Sequence, residues 1–402
     1  MIVKIQKSLA QGRVTAPPSK SMAHRALICG ALSQESCISN LAASEDIKAT
    51  LGCLKALGAK TENTPDGVKI GALDPFCLEE NTSLFCCESG STLRFMLPLC
   101  MLSGKRITLL GSRRLFERPL SVYEDICRNQ GIEFVKGESS VAVCGKLKSG
   151  SYSVPGDISS QFISGLLFAL PLLSGESRIE VTGAFESASY IDLTLSALSD
   201  FGVSVVRDKN VFIINGGQRP KSLNYTVEGD CSNAAFLDGL NLLGGNVSID
   251  GISPKTLQGD RVYIEMFKAL SNGQKNFDLS DCPDLGPVMF ALAAAFGGAT
   301  FTGTARLRIK ESDRAEAMRQ ELLKFGIETV VYENSVEIKK GKLTAPREIL
   351  CGHNDHRIVM ALSLLLTKTG GELEGIEAVK KSYPDFFETI KNLGIGMEIY
   401  EN

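Results

Sequence analysis

Apolar positions along this chain follow two rhythms. The opening stretch Met1-Ile-Val-Lys-Ile-Gln-Lys7 alternates in the manner of a β-strand. Other stretches are apolar on every side: Phe95 to Leu102 and Phe162 to Leu173 are too short to span a bilayer and read as buried helices. A third pattern joins the two. An amphipathic helical stretch ends one or two residues before a glycine and usually leads into a strand-like apolar pair, at Gly58, Gly131, Gly202, Gly273, Gly326 and Gly394. A glycine there suits the position just past a helix, where a positive φ turns the chain into the next strand.

The glycines recur at roughly seventy-residue steps, with a shorter step between Gly273 and Gly326, which implies six copies of one supersecondary unit. Helix–glycine–strand phrases are common in any α/β protein. The fourth copy is also the weakest, since Ser-Asn-Gly-Gln has no apolar pair directly after it. A chain of 402 residues is too long for one ordinary core. Six units in two sets of three predict two similar lobes, and a two-lobed enzyme can hold substrates in the cleft between them, expelling water as it closes.

Composition narrows the function. A chain that is 44% apolar and 22% charged is a soluble globular protein, and no segment predicts a membrane span or a secretory leader. The net charge of −3, without a basic stripe interleaved with aromatics, excludes a general affinity for nucleic acid. The twelve cysteines lack metal-ligand spacing and Cys86 adjoins Cys87, so neither a zinc site nor a disulfide framework is expected. Reduced thiols point to the cytoplasm.

Against that background the charges stand out. Ala305 to Arg314 packs four cations and two acids around Leu307 and Ile309, then opens an amphipathic stretch. The run predicts a strand end, a turn and a helix N-terminus, forming an anion site with its own acid/base group; the plainer reading is a solvated charged face. Pro17-Pro18-Ser19-Lys20-Ser21 leads into a long apolar helix, with Lys20, Ser21 and Arg25 about its first turns. Cations there oppose the helix dipole unless an anion binds among them. Glu88-Ser89-Gly90 and Ile158-Ser159-Ser160-Gln161 are further polar turns entering apolar helices, with ordinary caps as the alternative. Glu117-Arg118-Pro119, Asp355-His356-Arg357 and Lys381-Ser-Tyr-Pro-Asp385 add cations beside prolines and helix starts. Neither a G-x-x-x-x-G-K-[ST] loop nor a G-x-G-x-x-G fingerprint occurs, which removes support for a nucleotide kinase or a dehydrogenase.

These blocks, with Val227-Glu-Gly-Asp230, Gln258-Gly-Asp260, Pro283-Asp284 and Lys310-Glu-Ser-Asp-Arg314, resemble the signature blocks of the 5-enolpyruvylshikimate-3-phosphate synthases, in family order over nearly the whole chain. The resemblance implies an α/β (α+β) fold, a two-lobed inside-out α/β barrel with three βαβαββ units per lobe. It places one lobe at residues 15–227 and a discontinuous lobe at 1–14 plus 228–402. The implied reaction moves the carboxyvinyl group of phosphoenolpyruvate to the 5-hydroxyl of shikimate 3-phosphate and releases phosphate, with no metal or organic cofactor. A monomer without nucleic-acid or membrane partners is expected.

The resemblance also implies roles. Lys20, Gly90, Arg118, Gln161, Arg314, Arg357 and Lys381 would hold phosphoenolpyruvate. Lys20, Ser21, Arg25, Ser159, Ser160, Gln161, Ser187, Tyr190, Asp284 and Lys310 would hold shikimate 3-phosphate. Asp284 would be the general base toward the attacking hydroxyl, with Glu311 and Lys20 carrying protons and His356 in support. A carboxylate among cations tends to be a weak base unless desolvation opposes them. Two positions depart from the pattern, Glu88 and Arg306, where many relatives have asparagine, and this puts a ligand contact at Arg306 in doubt. Gly90 keeps the small residue associated in that family with inhibition by glyphosate. The nearest rival, a UDP-N-acetylglucosamine enolpyruvyl transferase, carries a cysteine before its Arg-Pro pair; Gly111 to Pro119 has none. A non-catalytic anion-binding relative is the remaining alternative.

Overall fold

In the computed structural model, which describes residues 1–401, the chain forms two compact units. One comprises residues 1–17 with the chain from 229 onward, the other residues 18–228, and each has its own apolar core.

Both units are built on one theme. In the unit of residues 18–228, strand Thr82–Phe85 runs parallel to Ile107–Leu110, Ser140–Cys144 adds antiparallel to Ile107–Leu110, and Glu133–Lys136 adds antiparallel to Ser140–Cys144. A parallel pair needs a crossover, supplied by the helix Gly90–Cys100. The Ser151–Pro155 and Ser177–Thr182 pair repeats this around the helix Ser160–Ala169. The remaining sheet is completed from the far end of the unit, where Asn224–Thr226 pairs with Ser36–Ser39 and Tyr225 lies opposite Ile38.

The other unit has two such sheets, one of them completed by the N-terminal strand Ile2–Ile5 between Gly371–Glu374 and Met397–Tyr400. Its third sheet has only two strands, Gln11–Thr15 parallel to Asn246–Asp250. Among the described residues, then, five of the six repeats are four-stranded and one is cut short. The short repeat is the weak fourth copy. After Gly273 the polar segment gives no hairpin of its own, and strand Asn276–Asp278 opens the next sheet. The lost hairpin accounts for the short step in the glycine spacing.

The crossover helices Lys20–Leu32, Gly90–Cys100, Ser160–Ala169, Cys231–Leu242, Gly286–Ala295 and His356–Thr369 are buried over most or all of their length, whereas strands such as Ser177–Thr182 alternate buried and exposed. Helices therefore lie inside and sheets outside, the inside-out arrangement. The second helix of each repeat is amphipathic and ends at one of the six glycines, and all six have positive φ, from +67° at Gly131 to +105° at Gly58.

The charged run departs from its expected local structure. A 3-10 turn over Ala305–Ile309 stands where a strand end was expected, followed by the helix Arg314–Lys324 capped by Asp313, whose side chain accepts from the Glu316 N–H at 3.1 Å. The strand Ala299–Thr302 stops at Gly303 with φ +69°, and the tight turn buries Leu307 while Arg306 donates to the Ser280 carbonyl at 2.7 Å. Arg306 is thereby committed to the backbone.

Candidate active site

The polar blocks sit at the starts of the buried helices, where backbone N–H groups lack helical partners. In the unit of residues 18–228, Lys20 is the first residue of its helix, and its Nζ lies 2.8 Å from an Asp46 carboxylate oxygen. The anion that offsets this cation's clash with the helix dipole is thus supplied within the fold, by the acidic first turn of the helix Glu45–Ala56. One turn on, Arg25 is 3% exposed and fully engaged: Nε donates to Thr194 Oγ1 at 2.8 Å, one terminal nitrogen to the Ser21 carbonyl at 2.6 Å and the other to the Tyr190 carbonyl at 2.7 Å. Desolvation lowers its pKa to about 10, which leaves it charged at neutral pH. Ser21, Arg25 and Tyr190 are thereby brought together. Ser187 precedes the Tyr190 helix in the left-handed region, at φ +55°, a conformation unusual for serine and of the kind that gathers at functional sites.

Gly90 opens the next helix, and Ser89 caps it by accepting from the Thr92 N–H at 3.2 Å. A Cβ at Gly90 would lie 2.7 to 2.9 Å from the guanidinium atoms of Arg118, so the missing side chain is the space this buried cation occupies. Arg94 donates to Gln161 Oε1 at 2.7 Å, and Gln161 Nε2 donates to Ser91 Oγ at 2.9 Å. Ser159 caps the Gln161 helix through the Gln161 N–H. Gly90, Arg118 and Gln161 therefore share one polar neighbourhood, braced by Arg94.

In the other unit the cations converge on carboxylates. Arg314, 1% exposed, donates Nε to Asp355 Oδ2, one terminal nitrogen to Asp284 Oδ1 and the other to Glu311 Oε2, each at 2.8 Å. Asp284 also accepts from Lys310 at 3.2 Å and from Arg357 at 3.0 Å. Lys381 Nζ donates to the Asn354 carbonyl at 2.6 Å. His356 is buried, its Nδ1 3.9 Å from Asp355, beyond hydrogen-bonding reach of that carboxylate.

Electrostatics follow from this crowding. Desolvation pulls Arg314 down, but Asp355, Glu311 and Asp284 outweigh it and its pKa is raised. Desolvation lowers Lys310 to about 8 against the pull of Asp284, with Arg314 and Arg306 adding to the fall. Desolvation would raise Asp355, yet Arg314 carries it below its ordinary value. A carboxylate whose folded pKa is depressed contributes stability above its unfolded pKa of ~3.9, and this is lost as pH falls through the folded value. Urea midpoints measured from pH 6 down to pH 3 are therefore expected to drop below about pH 4; a flat profile would contradict the buried pair.

A family model described as EPSP synthase (3-phosphoshikimate 1-carboxyvinyltransferase) matches residues 4–390. The chain belongs to the EPSP synthase family. Relatives named 3-phosphoshikimate 1-carboxyvinyltransferase from Clostridium kluyveri and Clostridium acetobutylicum are 43% and 39% identical to it, over 98% of this chain and 97% of each relative. Among solved structures, the EPSP synthase of Acinetobacter baumannii superposes with a TM-score of 0.80 at 23% identity, covering 100% of both chains. The enolpyruvyl transferase NikO from Streptomyces tendae gives 0.76 at 15% identity, covering 99% of this chain and 98% of its own. These structural likenesses show a common fold.

For this EPSP synthase family member, the signature blocks name most of the residues that the structure clusters, but not what holds them. Asp355, at 0% exposure, both caps its helix by accepting from the Arg357 N–H at 2.9 Å and anchors Arg314; its block was legible, its role was not. Asp46 and Thr194 carried no signal, since a lone acid or hydroxyl on a helix is unremarkable until its partner is known.

Proposed function

We propose that this chain transfers the carboxyvinyl group of phosphoenolpyruvate to the 5-hydroxyl of shikimate 3-phosphate, in the shikimate route to aromatic amino acids; its Clostridium relatives are named 3-phosphoshikimate 1-carboxyvinyltransferase, which supports the reading. The observation that carries the reading is the Asp284 carboxylate gathered with Lys310, Arg314 and Arg357 in a chain matched by the family model almost end to end. Two substrates with several negative charges need many cations, and we assign Lys20, Arg118, Arg314, Arg357 and Lys381, with Gln161 and Gly90, to phosphoenolpyruvate. Ser21, Arg25, Ser159, Ser160, Gln161, Ser187, Tyr190 and Lys310 are assigned to shikimate 3-phosphate.

The chemistry is addition then elimination. The 5-hydroxyl attacks C2 of phosphoenolpyruvate and yields its proton to Asp284, while the methylene carbon takes a proton from Lys20 or Glu311. The ketal phosphate so formed then loses phosphate, and one methyl proton returns to the protein. In the structure described Asp284 accepts from three cations, Lys310, Arg314 and Arg357. Anionic substrate groups that draw Arg357 and Lys310 toward themselves free its oxygens to take the hydroxyl proton. His356 supports the Asp355 side of the site. Acid/base groups suffice for every step, and no cofactor enters. The protein acts as a monomer in the cytoplasm, consistent with twelve free thiols.

The test is phosphate release from phosphoenolpyruvate that depends on added shikimate 3-phosphate. Release that instead requires UDP-N-acetylglucosamine would transfer the chain to the rival activity, and ligand-induced stabilisation without release would make it a binding protein. Gly90→Ala places a methyl against the Arg118 guanidinium, so KM for phosphoenolpyruvate is expected to rise about tenfold or more. Glyphosate at limiting phosphoenolpyruvate is expected to slow the parent enzyme and to act more weakly on Gly90→Ala; equal inhibition of the two would contradict the crowding argument.

A further inference from the structure

The turn before His356 stores backbone strain. His353 and Asn354 are consecutive non-glycine residues in the left-handed region, at φ +48° and +51°, a strained conformation that persists only where the surrounding structure enforces it. The enforcement comes from one helix, Arg314–Lys324, which grips the turn at both ends. In its first turn Arg314 holds Asp355. Two turns further along the same face Glu321, 1% exposed, accepts from the Cys351 N–H at 3.0 Å through Oε2 and lies 3.0 Å from His353 Nε2 through Oε1. Lys324 approaches Glu321 to 2.9 Å and also donates to the Ile349 carbonyl at 3.2 Å. The turn closes on itself, with the Asp355 N–H donating to the Gly352 carbonyl at 2.9 Å and the His353 N–H to the Cys351 sulfur at 3.4 Å.

What the turn presents is the chemistry of the site. The Asn354 carbonyl takes the Lys381 ammonium at 2.6 Å, Asp355 takes Arg314, and the Arg357 N–H is bonded back to Asp355. We propose that Glu321 and His353 are positioning residues for phosphoenolpyruvate: they clamp the strained turn so that Lys381, Arg314 and Arg357 keep the geometry its anionic groups require. The proposal rests on the function assigned above; the three cations it positions are all assigned to phosphoenolpyruvate, though Arg314 and Arg357 also bond Asp284. Neither Glu321 nor His353 belongs to a signature block that prompted that assignment; His353 lies two residues before Asp355-His356-Arg357.

A positioning role differs from plain structural support in its selectivity. Removing the clamp disturbs the phosphoenolpyruvate cations but leaves Ser21, Arg25, Ser159 and Ser160 untouched in the other unit. In the full-length enzyme, His353→Ala and Glu321→Ala are expected to raise KM for phosphoenolpyruvate about tenfold, with KM for shikimate 3-phosphate within about twofold of the parent. His353→Gln keeps a donor toward Glu321, and Glu321→Gln keeps an acceptor for the Cys351 N–H, so both are expected to recover most of the loss. Glu321 is deeply buried, and if its alanine variant fails to fold the His353 pair carries the test alone, because that ring is partly exposed. Parallel rises in both KM values, or a lowered melting temperature with unchanged KM values, would overturn the clamp. If the parent itself shows no turnover with the two substrates, the functional assignment fails instead, which separates the two outcomes.

Discussion

Asp284→Asn is expected to lower kcat by about three orders of magnitude, in the range that a positioned general base supplies, while phosphoenolpyruvate and shikimate 3-phosphate still bind. Asparagine has nearly the same shape as aspartate, so its one amide oxygen still accepts from Arg314 and Lys310, which share Asp284 Oδ1, while Arg357 loses Oδ2 and keeps its bond to the backbone carbonyl of residue 284. The proton acceptor for the 5-hydroxyl is what disappears. Binding measured by calorimetry beside single-turnover rates distinguishes the possibilities. If affinity and rate fall together by the same factor, Asp284 acts as a scaffold for the cations and the base lies elsewhere. The alanine variant is the harsher comparison, since it also strips a partner from an arginine that is 1% exposed.

Arg314→Leu is expected to destabilise its unit by about 3–5 kcal/mol, the usual cost of removing one member of a buried ionic cluster. Three carboxylates, Asp284, Glu311 and Asp355, would lose their shared cation, and Asp355 is at 0% exposure with little water to replace it. Arg314→Lys is expected to fare only somewhat better. A single ammonium cannot reproduce a fork whose three nitrogens each serve a different carboxylate. Combining Arg314→Leu with Asp355→Asn should cost less than the sum of the separate losses, because the second change removes the stranded charge that the first creates. Urea titration of the single and double variants reads this directly; additive losses would show that Asp355 is not the main dependent of Arg314.

Legibility in the sequence tracked the range of the interaction. The six glycines were visible because a positive φ past a helix is a local demand that few other residues meet, and all six have that conformation. The cropped fourth repeat left its trace in the same way, as a polar segment where a hairpin needs apolar residues. The charged run misled at close range. Its 3-10 turn is set by burying Leu307 and by Arg306 reaching the Ser280 carbonyl, 26 positions away, and nothing in the run itself announces either. Contacts that fix the site are longer still: Arg25 meets Thr194 across 169 positions and Arg357 meets Asp284 across 73. The signature blocks named one end of each such pair. Their supports, Asp46, Thr194 and Glu321, are ordinary helix residues until folding brings them to their partners.

The central claim is an addition–elimination on the 5-hydroxyl of shikimate 3-phosphate, and product mass analysis after turnover in deuterium oxide tests it most directly. Addition puts a solvent deuteron on the methylene carbon, and elimination then removes one of three hydrogens. The product is expected to be a carboxyvinyl ether of shikimate 3-phosphate carrying deuterium in its vinyl group, formed with stoichiometric phosphate. Phosphate release with no such ether, an ether without deuterium, or an ether formed only on UDP-N-acetylglucosamine would contradict the account.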